Sequence, residues 1–366
     1  MLYYLHHLSD WFGPLNLFQY ITFRAVMAAV TAMLLSLMLG PRIIRMLVAL
    51  EYAQPARGED DLRELAARHR MKLGTPTMGG LLIILALEIS CLLWAPLHNL
   101  FVQITLLCVV YLGAVGFLDD YRKVTKQDPK GLSAKTKLAA QAILAVFIGW
   151  ILLANPDTAQ LYRQFMLPFL KTPVIQDMGW FSVLFMVLVI VGSSNAVNLT
   201  DGLDGLAVGC TVSVAMAFVI LTYVTGHYLI ADYLRIPFVK GAGELAVFCA
   251  ALVGAGLGFL WYNSHPAEVI MGDTGSLALG GAIGIVAILV RQELALVIIG
   301  GVFVMEAVSV ILQVASFKLR GKRIFLMSPI HHHFEQKGWS ESKVVVRFWI
   351  LSIIFALVGL STLKMR

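Results

Sequence analysis

The sequence predicts an all-α polytopic membrane protein, and its composition and the length of its apolar segments are the observations that predict it. The chain of 366 residues is 59% hydrophobic and 14% charged, whereas a soluble domain carries roughly 25% charged residues. Its mean hydropathy is +0.80. Apolar runs of about 20 residues, which are long enough to cross a hydrocarbon core of about 30 Å, recur along the whole chain.

Ten transmembrane segments are predicted from these runs. They cover residues 17–40, 77–97, 99–118, 135–154, 178–197, 204–225, 243–262, 275–290, 294–317 and 344–363. The fifth and eighth segments have ends that are rich in Gly, Ser and Asn, so their apolar runs are less continuous than the others. In the second segment, Leu87 is predicted to face lipid. No long linker, low-complexity tract or internal repeat interrupts the pattern, so residues 1–366 are interpreted as a single integral-membrane domain.

Basic residues predict the orientation of these segments. They are concentrated in the first, third and ninth connections, as Arg42, Arg45, Arg57, Arg63, Arg68, Arg70, Lys72, Arg122, Lys123, Lys126, Lys130, Lys135, Lys137, Lys318, Arg320, Lys322, Arg323, Lys337 and Lys343. The positive-inside rule places such connections in the cytoplasm, so both termini are predicted to be periplasmic. Topology thus explains most of the net charge of +6, and no nucleic-acid partner is expected. Residues 59–70 are predicted to form a short polar helix.

Five polar motifs fall on the predicted cytoplasmic face. They are KLGTPTMGG (72–80), GFLDDYRK (116–123), NAVNLTDGLDG (195–205), NSHPAEVIMGDTGS (263–276) and SPIHHHFE (328–335). Ionisable residues beside or within a bilayer are costly and usually mark a functional site. The motifs therefore predict an active site at the cytoplasmic face.

Three carboxylates are the strongest candidates within these motifs. Asp119 and Asp120 are adjacent, and neighbouring residues on a helix point about 100° apart, so one is expected to act while the other supports it. Asp273 lies between glycines at the start of a segment, where free backbone N–H groups attract anions. A helix-capping role is the structural alternative for Asp273.

Four polar residues recur at every third position. They are Asn195, Asn198, Asp201 and Asp204. In helical or 3₁₀ geometry this spacing drifts slowly around one side, so the four are predicted to share one wall of a site. The structural alternative is that Thr200 or Asp201 caps the following helix, which accounts for one residue of the four.

His331, His332 and His333 follow Pro329. Contiguous histidines point in different directions, and no further His or Cys follows at ligand spacing, so zinc is disfavoured. A His-rich cytoplasmic loop that hydrogen-bonds phosphate or hydroxyl groups is the favoured interpretation, and a plain polar turn is the alternative.

The combined residue types indicate phosphoryl transfer. Acidic, oxygen-rich sites without thiolates favour Mg²⁺ or, as an alternative, Mn²⁺, and the surrounding Lys and His residues favour anionic oxygens. In such chemistry the protein mainly positions two reactants and neutralises charge. A site where lipid meets cytosol predicts one reactant from each phase, namely a lipid phosphate and a soluble phosphorylated molecule.

These motifs, in this order, resemble those of the bacterial phospho-N-acetylmuramoyl-pentapeptide-transferases, within the polyprenyl-phosphate N-acetylhexosamine-1-phosphate transferase superfamily. The resemblance spans nearly the whole chain, with one trivial departure, since the family's LTFR is ITFR at 21–24. It implies a ten-helix homodimeric enzyme of the inner membrane. Such an enzyme transfers phospho-MurNAc-pentapeptide from UDP-MurNAc-pentapeptide to undecaprenyl phosphate, giving lipid I and UMP in the first membrane step of peptidoglycan synthesis.

The resemblance also implies roles for individual residues. Asp273 matches the principal Mg²⁺ ligand, Asp119 and Asp120 match the pair assigned to the lipid phosphate, and His331 matches the histidine nearest the chemistry. Matches to substrate-binding positions are Lys72, Thr77, Lys137, Asn195, Asn198, Asp201, Asp204, Asn263, His332 and His333. The residues are compatible with two routes. In one, an aspartate forms a covalent phospho-sugar intermediate; in the other, the lipid phosphate attacks directly.

Two other functions share part of this pattern of residues. A sister transferase of the superfamily would use UDP-N-acetylglucosamine, but PIHHHFE and the following KGW favour the muramoyl-peptide enzymes by resemblance. A cation-coupled transporter also carries intramembrane acids and Gly-broken helices. Its binding site would lie near the bilayer midplane, whereas the acids here are predicted at cytoplasmic helix ends.

Overall fold

A computed structural model describes residues 1–49, 75–125 and 131–364 of the chain. The α-helices in these ranges are α1 (Ile21–Ala49), α2 (Gly80–Trp94), α3 (Leu100–Thr125), α4 (Ala134–Ala154), α5 (Pro156–Arg163), α6 (Phe181–Thr200), α7 (Leu206–Thr225), α8 (Tyr228–Leu234), α9 (Leu245–Asn263), α10 (Gly272–Leu289), α11 (Glu293–Ile299), α12 (Gly301–Arg320), α13 (Ile330–Gln336) and α14 (Glu341–Ser361). Short 3₁₀ helices cover Leu2–Leu8, Gly13–Gln19, Ala242–Glu244 and Thr362–Lys364.

Within the described residues, nine helices are long and apolar enough to cross a membrane. Helix α2 is also apolar but has only 15 residues, which extend about 22 Å at 1.5 Å per residue. These nine helices and α2 correspond to the ten predicted segments. The described part of the chain is all-helical, and the protein is a multi-pass membrane protein, as its composition predicts.

Three details differ from the sequence-based predictions. The first segment begins at Ile21 rather than residue 17 and continues to Ala49. The ninth is divided at Gly300 into α11 and α12, a break that hydropathy cannot register because the composition stays apolar across it. Leu87 is buried rather than lipid-facing, and the exposed residues on this helix are Leu85, Ile89 and Leu92. The predicted 59–70 helix lies outside the described residues.

Helices α9 and α10 form the centre of the molecule. In the most apolar 18-residue stretch of α10, 89% of the residues are buried, whereas in the corresponding stretch of α12 only 22% are buried. A helix that is apolar all around its circumference is suited to such a central position. Helix α10 packs against α3, α6 and α2, and the polar residues at the ends of these helices meet around its N-terminus.

Glycines allow the backbones around α10 to approach closely. A Cβ atom on Gly116 of α3 would overlap the carbonyl oxygen of Asp273, and one on Gly80 of α2 would overlap the backbone of Gly275. The segment before α2 also bonds directly to the segment before α10, since the Ile270 N–H donates to the Pro76 carbonyl at 2.8 Å. The N-terminus of α10 is thus fixed against two neighbouring helices.

Candidate active site

Asp120 caps helix α10 from a neighbouring helix. Its two carboxylate oxygens accept the backbone N–H groups of Asp273 at 3.2 Å and Thr274 at 2.9 Å, and the Thr274 hydroxyl donates to the same carboxylate at 2.7 Å. The first N–H groups of a helix have no partner within the helix, and a carboxylate is also favoured by the helix dipole. Asp120 therefore holds the start of α10 against the end of α3.

Asp119 faces a different set of partners. Its side chain is fully buried, and it accepts the Leu132 N–H at 2.6 Å. The ammonium groups of Lys123 and Lys137 lie 2.6 Å and 2.9 Å from Asp119 Oδ2. A buried carboxylate requires such compensation, because an unpaired charge is costly to remove from water.

Asp273 shares both lysines with Asp119. Its Oδ2 accepts from Lys137 at 2.7 Å and from Lys123 at 2.9 Å, while its Oδ1 accepts from the Asn198 side chain at 2.8 Å. Residues from α3, α4, α6 and α10 thereby meet at one point. We call Asp119, Asp120, Asp273, Lys123 and Lys137 the carboxylate–lysine cluster.

The carboxylate–lysine cluster has a donor set that fits a hard divalent cation. Carboxylate oxygens of Asp119, Asp120 and Asp273 lie within 4.8 Å of one another. Oxygen ligands of this kind suit Mg²⁺ or Mn²⁺ rather than a soft metal. Because Asp120 is engaged by the N-terminus of α10, Asp119 and Asp273 are the carboxylates best placed to hold the ion.

The four residues at every third position do not share one wall. Asn198 contacts Asp273, whereas the Asn195 amide turns away to Gln141 Oε1 at 2.7 Å. Asp204 accepts from the Ala267 N–H at 3.2 Å and belongs to a separate cluster. The regular spacing fails because α6 ends at residue 200 and the chain turns before α7 begins.

The predicted capping role of Thr200 or Asp201 is also wrong. Gly205, with φ of +76°, occupies the N-cap of α7, while Asp201 is the C-cap of α6. The Thr200 hydroxyl donates to the Ala196 carbonyl at 2.8 Å within its own helix. Asp201 is therefore placed on the turn that separates the two groups of polar residues.

Asn263 braces this turn from α9. Its Oδ1 accepts the Gly205 N–H at 3.0 Å, and its Nδ2 donates to the Val269 carbonyl at 2.8 Å. Near it, carboxylate or ring atoms of Asp204, His265 and Glu341 lie within 4.8 Å of one another. This second group joins the turn to α14, since Glu341 accepts the Asp204 N–H at 2.9 Å.

The three histidines lie on the short helix α13 rather than in a loop, and each has a different environment. His331 is fully buried, and its Nδ1 lies 3.1 Å from Glu306 Oε1, although not in hydrogen-bond geometry. His332 Nδ1 lies 2.7 Å from Glu335 Oε2. Burial lowers the pKa of His332 below its usual value, and the Glu335 carboxylate opposes this shift. His333 accepts the Leu326 N–H at 3.1 Å.

His331 is connected to the carboxylate–lysine cluster through the turn after α6. Its Nε2 packs against Gly202, where a Cβ atom would overlap it. Gly202 follows Asn198 by four residues, so the histidine helix and the cluster meet at the same end of α6.

Of the two remaining predicted residues, Thr77 lies within the described part of the chain and Lys72 does not. Thr77 is buried, with its hydroxyl oxygen beside Gly272 at the start of α10, so it adjoins the carboxylate–lysine cluster. Lys72 lies outside the described residues.

Two residues without a predicted role are brought to the site by the structure. Lys123 follows Asp119 by four residues on the same helix, a spacing that places side chains on one face and would have identified it. Glu306 lies in an apolar helix far from every motif, so no sequence signal connects it with His331.

Helices of membrane length with a carboxylate–lysine cluster at their ends fit a membrane-embedded transferase of phosphorylated groups. Residues 102–291, just over half of the chain, match the family model of glycosyl transferase family 4. Residues 72–84 match the phospho-N-acetylmuramoyl-pentapeptide-transferase signature 1. Over the full length of both chains, the protein is 56% identical to the phospho-N-acetylmuramoyl-pentapeptide-transferase of Methylacidiphilum infernorum and 53% identical to those of Citrifermentans bemidjiense and Geobacter sp. (strain M21). The chain belongs to the phospho-N-acetylmuramoyl-pentapeptide-transferase family.

Proposed function

We propose that the protein transfers phospho-MurNAc-pentapeptide from UDP-MurNAc-pentapeptide to undecaprenyl phosphate, producing lipid I and UMP. The observation that carries the proposal is the meeting of Asp119 and Asp273 with two lysines at the ends of membrane-length helices. A diphosphate needs positive charge around it, and a lipid phosphate needs a site beside the bilayer. Family membership supports the same donor and acceptor.

The proposed cofactor is Mg²⁺, with Mn²⁺ as the alternative, and Asp119 and Asp273 would hold it. When bound, such an ion neutralises and orients phosphate oxygens. Asp120 acts indirectly in this proposal, because its contacts with α10 fix the position of Asp273. Asn198 has the same kind of role, since it donates to Asp273 Oδ1.

The chain's own residues bind and orient the two reactants. Lys123 and Lys137 offset the charge of the diphosphate, and an oxygen of the lipid phosphate attacks the sugar-linked β-phosphorus in line. A new P–O bond forms there, the bond to the bridging oxygen breaks, and UMP leaves with that oxygen. Direct attack is proposed rather than an intermediate on Asp119, because Asp119 serves as a ligand of the ion in this proposal.

The proposed arrangement in the cell is a single domain of ten crossings in the bacterial inner membrane, with both termini periplasmic and the site cytoplasmic. The basic connections support this orientation. A homodimer is proposed from the family resemblance.

The decisive experiment measures UMP release by the purified protein from UDP-MurNAc-pentapeptide, with and without undecaprenyl phosphate and Mg²⁺. We expect release only when donor, lipid acceptor and ion are all present. UDP-N-acetylglucosamine is the matched donor for the sister-transferase alternative, and faster release from it would refute the proposed donor. Rapid UMP release without any lipid acceptor would instead favour the covalent route.

A further inference from the structure

Lys123 and Lys137 occupy the carboxylate oxygens of Asp119 and Asp273 that remain for a cation, because the Leu132 N–H and the Asn198 side chain engage the other two. Both ammonium groups contact Asp119 Oδ2 and Asp273 Oδ2, at distances between 2.6 and 2.9 Å. Mg²⁺ binds oxygen ligands at about 2.0–2.1 Å, and a divalent ion repels an ammonium group at such close range. An ion on these oxygens and an ammonium on the same oxygens therefore compete.

We propose that Lys123 is an exchangeable counter-ion that couples cation binding to diphosphate binding. Without a divalent ion, its ammonium pairs with both Asp119 and Asp273. When the ion takes their oxygens, the ammonium moves away and becomes available to the diphosphate. This inference rests on the proposed function, and it assigns to Lys123 a part that neither the motifs nor the family resemblance assigned.

The charge of the carboxylate–lysine cluster supports the exchange. Its three carboxylates exceed its two ammonium groups by one charge, so the metal-free cluster is net negative and repels a diphosphate. A divalent ion reverses the sign and makes the cluster attractive to it. Binding of the cation thus favours binding of the diphosphate, and the reverse also holds. The two neighbouring binding sites are thermodynamically coupled.

The position of Lys123 also allows the movement. Its side chain is 28% exposed, whereas Asp119 is fully buried. Lysine carries its charge on a flexible four-carbon stem, so the ammonium can turn toward the solvent-facing side while the carboxylates stay fixed. Asp119 is held by the Leu132 N–H and Asp273 by Asn198, so these two carboxylates keep their places when the ammonium leaves.

The first test compares two affinities of Lys123→Gln with those of the wild type. Mn²⁺ alone is titrated into purified protein and free Mn²⁺ is measured by electron paramagnetic resonance; UDP is then titrated at saturating Mn²⁺ by calorimetry. We expect Mn²⁺ to bind about tenfold more tightly and UDP about tenfold more weakly, since one competing charge has been removed from contact range. A purely structural lysine would not move the two affinities in opposite directions.

Lys135→Gln is the matched control, because Lys135 is an exposed lysine near the start of α4 and carries the same charge. Both affinities should stay at wild-type values in this variant. Unchanged or weaker Mn²⁺ binding by folded Lys123→Gln would overturn the exchange.

A second test uses the wild-type protein and so does not depend on the folding of a variant. An amine-acylating reagent followed by mass spectrometry reports how accessible each lysine is. Mn²⁺ should increase acylation of Lys123 and leave Lys135 unchanged; no increase at Lys123 would overturn the exchange. If the wild type binds no Mn²⁺ at all, the proposed cofactor fails together with this inference, whereas normal Mn²⁺ binding without release of Lys123 defeats the inference alone.

Discussion

Asp119 and Asp120 are neighbours in sequence but have different partners. Asp120 accepts two backbone N–H groups of α10, while Asp119 pairs with two ammonium groups. The helical angle between adjacent residues makes such a division necessary. The sequence indicates that one of them supports the other, and only the packing of α3 against α10 determines which one does so.

Asp120→Asn is expected to lower stability by about 1–2 kcal/mol, the usual cost of losing a helix cap. The amide offers one acceptor oxygen instead of two, so an N–H group of α10 loses its partner. Thr274→Val removes the hydroxyl that donates to the same carboxylate. Thermal unfolding in detergent of both single variants and the double variant measures the effect. Because the two groups share one contact, their losses should not add, and simple additivity would contradict the capping role.

Asp273→Asn is expected to reduce the rate of UMP release by at least about a hundredfold. Residues that only support a metal ligand cost up to about a hundredfold in activity when they are changed, and a ligand itself should cost no less. The substitution removes the charge that pairs with two lysines but barely changes the volume of the side chain, so insertion into the membrane should persist. Asp177→Asn is the matched control, because that side chain is 61% exposed, and it should retain wild-type activity. Full Mg²⁺-dependent release by Asp273→Asn would refute the assignment.

At the level of helices, the site depends on how closely α3 approaches α10. Gly116 lies directly against the Asp273 carbonyl, so the position of Asp273 is determined by a residue that carries no functional group. The same contact aligns Asp120 with the free N–H groups of α10. A small residue at this position therefore contributes to the geometry of the carboxylate–lysine cluster.

Gly116→Ala is expected to destabilise the protein by about 1–3 kcal/mol, which is typical of an overpacked contact, and to reduce transfer as Asp273 shifts. Gly192→Ala in α6 is the control, because a Cβ there meets no atom within 4 Å. Alanine normally favours a helix over glycine by about 1 kcal/mol, so the control should be neutral or stabilised. Equal melting temperatures of the two variants would contradict the close-contact argument.

The sequence predicted the membrane helices well because each of them needs a long apolar surface. It failed where the chain changes direction without a change in hydropathy, as at Gly300 and at the turn near Gly202. The same turn separates Asp204 from Asn198, which the three-residue spacing had placed on one wall. The pairing of His331 with Glu306 depends on which helices are neighbours, and the local sequence around either residue does not indicate this.

At the scale of the whole molecule, distant segments converge because α10 is central. Helices α2, α3 and α6 pack around it, so Thr77, Asp119 and Asn198 reach its N-terminus from three directions. The polar residues at the ends of these helices therefore collect at the end of the bundle where α10 begins. The lipid phosphate and the soluble nucleotide can meet only if that end faces the cytosol.

This orientation can be tested by cysteine labelling in intact cells. The four native cysteines are buried, so the natural protein provides a low background. Lys135 lies two residues before Lys137 near the start of α4, and Asp177 precedes α6, whose other end carries Asn198. Both are exposed, and they lie at opposite ends of the helices. A membrane-impermeant maleimide should label Asp177→Cys from outside, and should label Lys135→Cys only after the membrane is opened. Labelling of Lys135→Cys in intact cells would place the cluster in the periplasm, where a cytosolic nucleotide sugar cannot reach it, and the proposed reaction would be excluded.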